Sequence, residues 1–173
     1  MALRQDGEVL IVRATKKLAH RLGGFDPAPT EPDLPSLGEW YATVIFWRPQ
    51  VALFVSETTL LPVFVPLAPA SSVTRRLPAE LADVLRRQEV PGAFIDKELA
   101  TMTEAVCLPT ASRSMLGVLN EYVHLAGHVH EVEGGSPDLE WLEDWLAQTP
   151  LGPLHKRHGF PDRELAALVA KST

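Results

Sequence analysis

Between Arg113 and His128 the apolar residues fall at helical spacing. Met115, Leu116, Val118, Leu119, Tyr122, Val123, Leu125 and Ala126 share one half of a helix at about 100° per residue. Arg113, Ser114, Gly117, Asn120, Glu121, His124 and His128 share the other half. The first set predicts a core-facing stripe. The second holds no Lys and a single Glu, where a solvated face usually carries several charges, so specific chemistry is sought there first.

The same periodicities divide the rest of the chain. Glu8–Ala14, Trp40–Trp47, Val51–Val55, Leu60–Leu67 and Ala105–Leu108 read as strands from their β-branched and aromatic content. Trp40–Trp47 and Val51–Val55 are apolar on both faces, which suits central strands covered on both sides or at a dimer contact. The short Arg48-Pro49-Gln50 link predicts an antiparallel hairpin. Pro62 and Pro66 cannot donate to a ladder, so Leu60–Leu67 is expected at an edge. Helices are expected at Lys16–Leu22, stopped by Gly23-Gly24, and through Ala79–Gln88 from a start at Ser72 or Thr74. Others are expected at Ala93–Met102, Asp138–Gln148 and Asp162–Lys171. Phe25–Gly38 carries four prolines and reads as an extended surface connection. Strands concentrate in the first half and helices in the second. That predicts an α+β fold: a mainly antiparallel sheet of about four or five strands packed against the helices of the C-terminal half.

Length and composition narrow this. The 173 residues suit one domain, with the Pro-rich connection at 25–38 inside it and a C-terminal helical segment over 137–173. A net charge of −6 argues against wholesale nucleic-acid binding. The basic pairs Lys16-Lys17, Arg75-Arg76 and Arg86-Arg87, and the His155–His158 tetrad, read as solvated surface. The lone Cys107 excludes an intramolecular disulfide and a multi-thiolate zinc site, and in an apolar strand it should be a buried, inert thiol. No apolar run approaches the about 18 residues of a membrane span, and the first residues lack the pattern of a signal peptide. A soluble, cytoplasmic protein is the expectation.

The nucleotide-binding, hydrolase, zincin and redox signatures G-x-x-x-x-G-K-[ST], G-x-S-x-G, H-E-x-x-H and C-x-x-C are absent. Two constellations remain. With Thr110 or Ser112 as the cap, Thr110, Arg113, Ser114 and Asn120, with Lys17 as a neighbour, would place free amides, a hydroxyl and a guanidinium at a helix N-terminus, as an anion site requires. Gly117 lies on the same stripe. A mid-helix Gly costs about 0.5–1 kcal/mol against Ala, so another backbone or a ligand is expected close to it. The structural alternative has Arg113 and Asn120 bonding internal carbonyls. In the second constellation Glu121, His124 and His128 project from one side of the helix at spacings that ligate metals, with His130, Glu131 or His155 to complete the set. Its alternative is a polar helix surface.

Arg13, Thr15, Lys17 and Leu18 form R-x-T-x-K-L; Trp40-Tyr41-Ala42 and an L-F-V-x-E-x-T-L run from Leu53 to Leu60 follow. T-x-x-R-S-x-L-G-x-x-N-E-Y runs from Thr110 to Tyr122. Together, with the late Thr149-Pro150 and Phe160-Pro161, these resemble the bacterial family catalogued as domain of unknown function 6933, over nearly the whole chain. Glu121 stands where Asp is more usual, and His124, His128 and His130 lie outside the pattern. The resemblance implies a bacterial, single-domain protein and no established activity.

The leading expectation is therefore a non-enzymatic binding or interaction protein, with a protein partner or self-association through its Trp-bearing C-terminal region. One alternative is an enzyme or receptor for an anionic, phosphorylated small molecule at the N-terminus of the 111–128 helix. The other is a metal-dependent enzyme using Glu121, His124 and His128. No cofactor is expected beyond a divalent metal under that last alternative.

Overall fold

A computed structural model of the chain describes residues 8–172. Five strands, β1 (Leu10–Ala14), β2 (Trp40–Ile45), β3 (Val51–Ser56), β4 (Pro62–Pro66) and β5 (Ala105–Pro109), form one sheet in the order β4-β3-β2-β1-β5. The helices are α1 (Lys16–Leu22), α2 (Val73–Arg87), α3 (Gly92–Ala100), α4 (Arg113–Glu133), α5 (Leu139–Ala147) and α6 (Pro161–Lys171). The fold is α+β. The sheet is mixed: β2-β3 and β3-β4 are antiparallel, whereas β1 runs parallel to both β2 and β5. Helical crossovers make the parallel pairs possible, since a tight turn can only reverse the chain.

Every residue of β2 and of β3 is buried. The reason is helical cover on both faces, the first of the two expected arrangements. On one face Trp40, Ala42, Ala52, Phe54 and Val63 pack with Leu18 of α1 and Leu77, Leu81 and Leu85 of α2. On the other, Tyr41, Ile45, Leu53, Val55 and Phe64 pack with Met115, Val118, Leu119 and Tyr122 of α4 and Leu142 and Leu146 of α5. The period-2 alternation of the strands thus divides two cores.

Both sheet edges are blunted. On β5, Cys107 exchanges bonds with Asp26: its amide donates to the Asp26 carboxylate and its carbonyl accepts from the Asp26 amide, each at 2.8 Å. The Cys107 thiol is pushed up to about 11 by burial, so it is protonated at neutral pH and unreactive. At the other edge, β4 is flanked by its two prolines, as expected.

The Pro-rich connection corrects one expectation. It is not a free spacer at its end: Leu37 is fully buried, and the amides of Ser36 and Leu37 donate to the buried Glu98 carboxylate at 2.8 and 3.3 Å. Ser56 Oγ donates to the Leu37 carbonyl at 2.7 Å. Buried backbone groups need such partners, and α3 and β3 supply them. Among the described residues no helix is long and apolar enough to cross a membrane.

Candidate functional site

The approach to α4 is built by β1. Arg13 bonds Glu39 through Nε (2.9 Å) and Nη2 (3.3 Å), and its Nη1 donates to the Pro109 carbonyl at 3.1 Å. That bidentate clamp ties the end of β5 to β1 just before the chain turns into the helix. Beside it, burial and the Glu57 and Glu39 carboxylates raise the pKa of the Tyr41 phenol, so it stays neutral. Thr15 does not cap α1 with its side chain; its hydroxyl pairs with that of Thr43 at 3.0 Å.

Ser112 is the N-cap of α4, accepting the Met115 amide at 3.2 Å. Arg113 and Ser114 follow in the first turn. The helix ends at Gly134, whose left-handed φ of 69° lets its amide reach the Glu131 carbonyl. Met115, Val118, Leu119, Tyr122 and Ala126 are buried, and the Tyr122 hydroxyl donates to the Leu60 carbonyl at 2.7 Å. These contacts fix the rotation of α4, so the opposite stripe must face outward.

That stripe forms one wall of a groove of about 320 Å³. Arg113, Ser114, Gly117, Val118 and Glu121 line one side, and the Pro150–Pro153 segment the other. Arg113 is exposed and has no hydrogen bond or ion pair among the described residues. It is therefore not tied to internal carbonyls. Gly117 needs a correction: a Cβ placed there meets nothing within 4 Å, so no backbone approaches it and it opens onto the groove instead.

The other expected residues are not gathered there. Thr110 is half-buried and leaves the capping to Ser112. Asn120 is exposed and does not line the groove. Lys17 belongs to α1, whose buried residues pack on the opposite face of the sheet. Glu121, His124 and His128 are exposed along α4. Among the described residues no group of three or more His, Cys, Asp or Glu is placed to hold a metal ion. His130 stacks on Trp47 with ring centroids 4.7 Å apart, and that contact draws it toward the β2-β3 hairpin.

Three charged arrangements escaped the sequence reading. Arg76 donates to the carbonyls of Pro66, Leu67 and Pro69. Arg87 is a half-buried hub for Glu143, Asp144 and Glu140 rather than solvated surface. Arg157 and His158 of the basic tetrad converge on the buried Glu164. Partners of Arg87 and Glu143 lie 56 positions apart, and no local pattern announces such a pair.

The chain belongs to the family described as domain of unknown function (DUF6933), whose model matches residues 11–164. No curated protein and no solved structure matches it.

Proposed function

We propose that this DUF6933 member is a non-enzymatic binding protein that receives a segment of a partner protein in the groove along α4. The observation that carries this is the free guanidinium of Arg113 on the wall of an open groove. Arg113 and the first amides of α4 favour an acidic group at one end. Glu121 lies eight residues on, about 12 Å along the helix at 1.5 Å per residue, and favours a basic group at the other. Val118, Pro150, Leu151 and Pro153 between them favour an apolar side chain. An extended peptide spans that distance in about four residues. Ser114, the one hydroxyl side chain in the groove, has no hydrogen-bonded base beside it among the described residues, which supports binding over nucleophilic chemistry.

Selection from a random peptide library displayed on phage, against the full chain, tests this. The expected enrichment is an acidic and a basic residue three or four apart around an apolar one, lost with Arg113→Glu. Enrichment that survives both Arg113→Glu and Gly117→Leu, or no enrichment at all, rejects the reading.

Self-association is a second reading, favoured by one feature. Trp141 and Trp145 stack at 5.7 Å on the outer side of α5, 48% and 36% exposed. Stacked, exposed indoles are typical anchors of interfaces. Light scattering on the eluting protein should then report a dimer that Trp141→Ala with Trp145→Ala converts to a monomer; a monomeric wild type rejects it.

A further inference from the structure

A second cavity, of about 280 Å³, lies beside α6 and is lined by Thr58, Arg157, His158, Glu164, Leu168 and Lys171. Within that lining Glu164 is only 3% exposed. Oε1 accepts the His158 amide at 2.7 Å and stands 2.9 Å from the ring nitrogen Nδ1. Oε2 accepts from Nη2 of Arg157, which also donates to the Thr58 carbonyl at 3.1 Å.

Burial by itself would raise the pKa of Glu164, but the His158 amide and ring and the Arg157 guanidinium outweigh it and hold the group below the ordinary carboxylate range. An ionised carboxylate only accepts, so Nδ1 of His158 carries the proton and Nε2 is the nitrogen left for another group. A buried carboxylate that orients an imidazole is the arrangement by which a histidine is fixed toward a ligand.

The charges around it are not all spent. Arg157 commits Nη2, leaving its other N–H groups. Lys171 lines the cavity with no partner among the described residues. Glu164 is neutralised by Arg157, so Lys171 leaves the lining with one net positive charge besides His158. Donors on Lys171 and Arg157 beside an acceptor at Nε2 suit a tetrahedral oxyanion that keeps a P–OH better than a flat carboxylate, which a single guanidinium fork would satisfy.

We propose that this cavity binds a phosphate group, free or esterified, through Lys171, Arg157 and Nε2 of His158, with Glu164 as the residue that positions the imidazole. The second ionisation of a phosphate monoester lies near pH ~6. The ligand presents oxyanions to Lys171 and Arg157 and, as the monoanion, a P–OH to Nε2 as acceptor. The site is separate from the α4 groove and does not depend on it.

The test is titration of the full chain with inorganic phosphate, and in a second arm with phenyl phosphate, against chloride at matched ionic strength. The readout is the side-chain nitrogen resonances of His158. A saturable shift is expected, weakened about ten-fold or more by Lys171→Met, the loss expected for one charge-assisted hydrogen bond. Lys171 is exposed in the last turn of α6, so its variant should melt as the wild type does. Arg113→Ala should leave the titration unchanged. Tighter binding of phenyl phosphate would assign an ester, and tighter binding of inorganic phosphate the free ion. No saturable shift, or a Lys171→Met protein that binds as tightly as the wild type, overturns the proposal.

Discussion

The carboxylate of Glu143 accepts the backbone amide of Phe64 at 2.8 Å, so a side chain of α5 occupies the outer edge of the sheet. Alternation along β4 gives this its meaning. Leu67 donates to Gln50 across the β3 side, which turns the donor positions of 62, 64 and 66 outward. Two of these are prolines and have no N–H, and the third is taken by Glu143. Arg76 takes the Pro66 carbonyl at 2.6 Å. An edge without free donors cannot template another strand.

Glu143 makes this contact titratable. Burial raises its carboxyl, against the opposing pull of the Phe64 amide and Arg87, to about 7 from the usual 4.5. The folded state therefore holds this proton more tightly than the unfolded state does. The resulting stabilisation is full below about pH 4.5 and lost as pH rises through about 7, with a span on the order of 3 kcal/mol. Urea midpoints from pH 5 to 8 should fall for the wild type relative to Glu143→Gln, which keeps an acceptor for Phe64. Glu143→Ala, which leaves the Phe64 amide without its acceptor while Arg87 keeps Asp144 and Glu140, should cost about 1–3 kcal/mol at neutral pH.

Glu164 carries the opposite sign. Its folded-state pKa is depressed, so its contribution is present above the ordinary carboxylate pKa and is lost as pH falls through the folded value. Acid unfolding followed by circular dichroism should show a loss of stability below pH 4.5 that Glu164→Gln largely removes. A variant with the wild-type acid profile would show that the Arg157–His158 contacts contribute nothing net.

Gly117 separates binding from stability. With open space where its Cβ would stand, Gly117→Ala should stabilise the protein by about 0.5–1 kcal/mol through helix propensity alone. Gly117→Leu should keep the wild-type melting temperature or exceed it, while filling the groove and abolishing peptide capture. A Gly117→Ala protein that melts lower than wild type would show a contact at this position.

Tyr122 holds α4 to the turn between β3 and β4. Its hydroxyl donates to the buried Leu60 carbonyl, and Leu60 itself is held at a φ of 62°. Tyr122→Phe should cost about 1–3 kcal/mol, the penalty of a stranded buried acceptor, with little change in the helical signal. Chemical denaturation with an unchanged m-value is the check.

Much of the architecture is legible because it is local. The stripe of Met115, Val118, Leu119 and Tyr122 marks the core face of α4 without reference to anything else, and Pro62 with Pro66 marks an edge strand. Gly23 and Ser112 mark helix ends, since caps and left-handed turns depend on a few neighbouring residues. The polar stripe of α4 was equally visible, and Arg113, Ser114, Gly117 and Glu121 do share a groove.

What stood against that stripe was not visible. Pro150–Pro153 forms the facing wall because α5 and the segment after it fold back over the same sheet face. Lys17 was legible as a cation, but it stands exposed on α1, whose buried residues pack on the other side of the sheet. Glu143, Glu164 and Arg87 look like ordinary helix charges until distant elements bury them, and burial is what turns a charge into an obligate partner. By itself, then, the sequence determined the elements and the side each turns to the core, through periodicity and propensity. Only the tertiary structure decided which polar residues meet, because those meetings depend on strand order, parallel crossovers and the desolvation that long-range packing imposes.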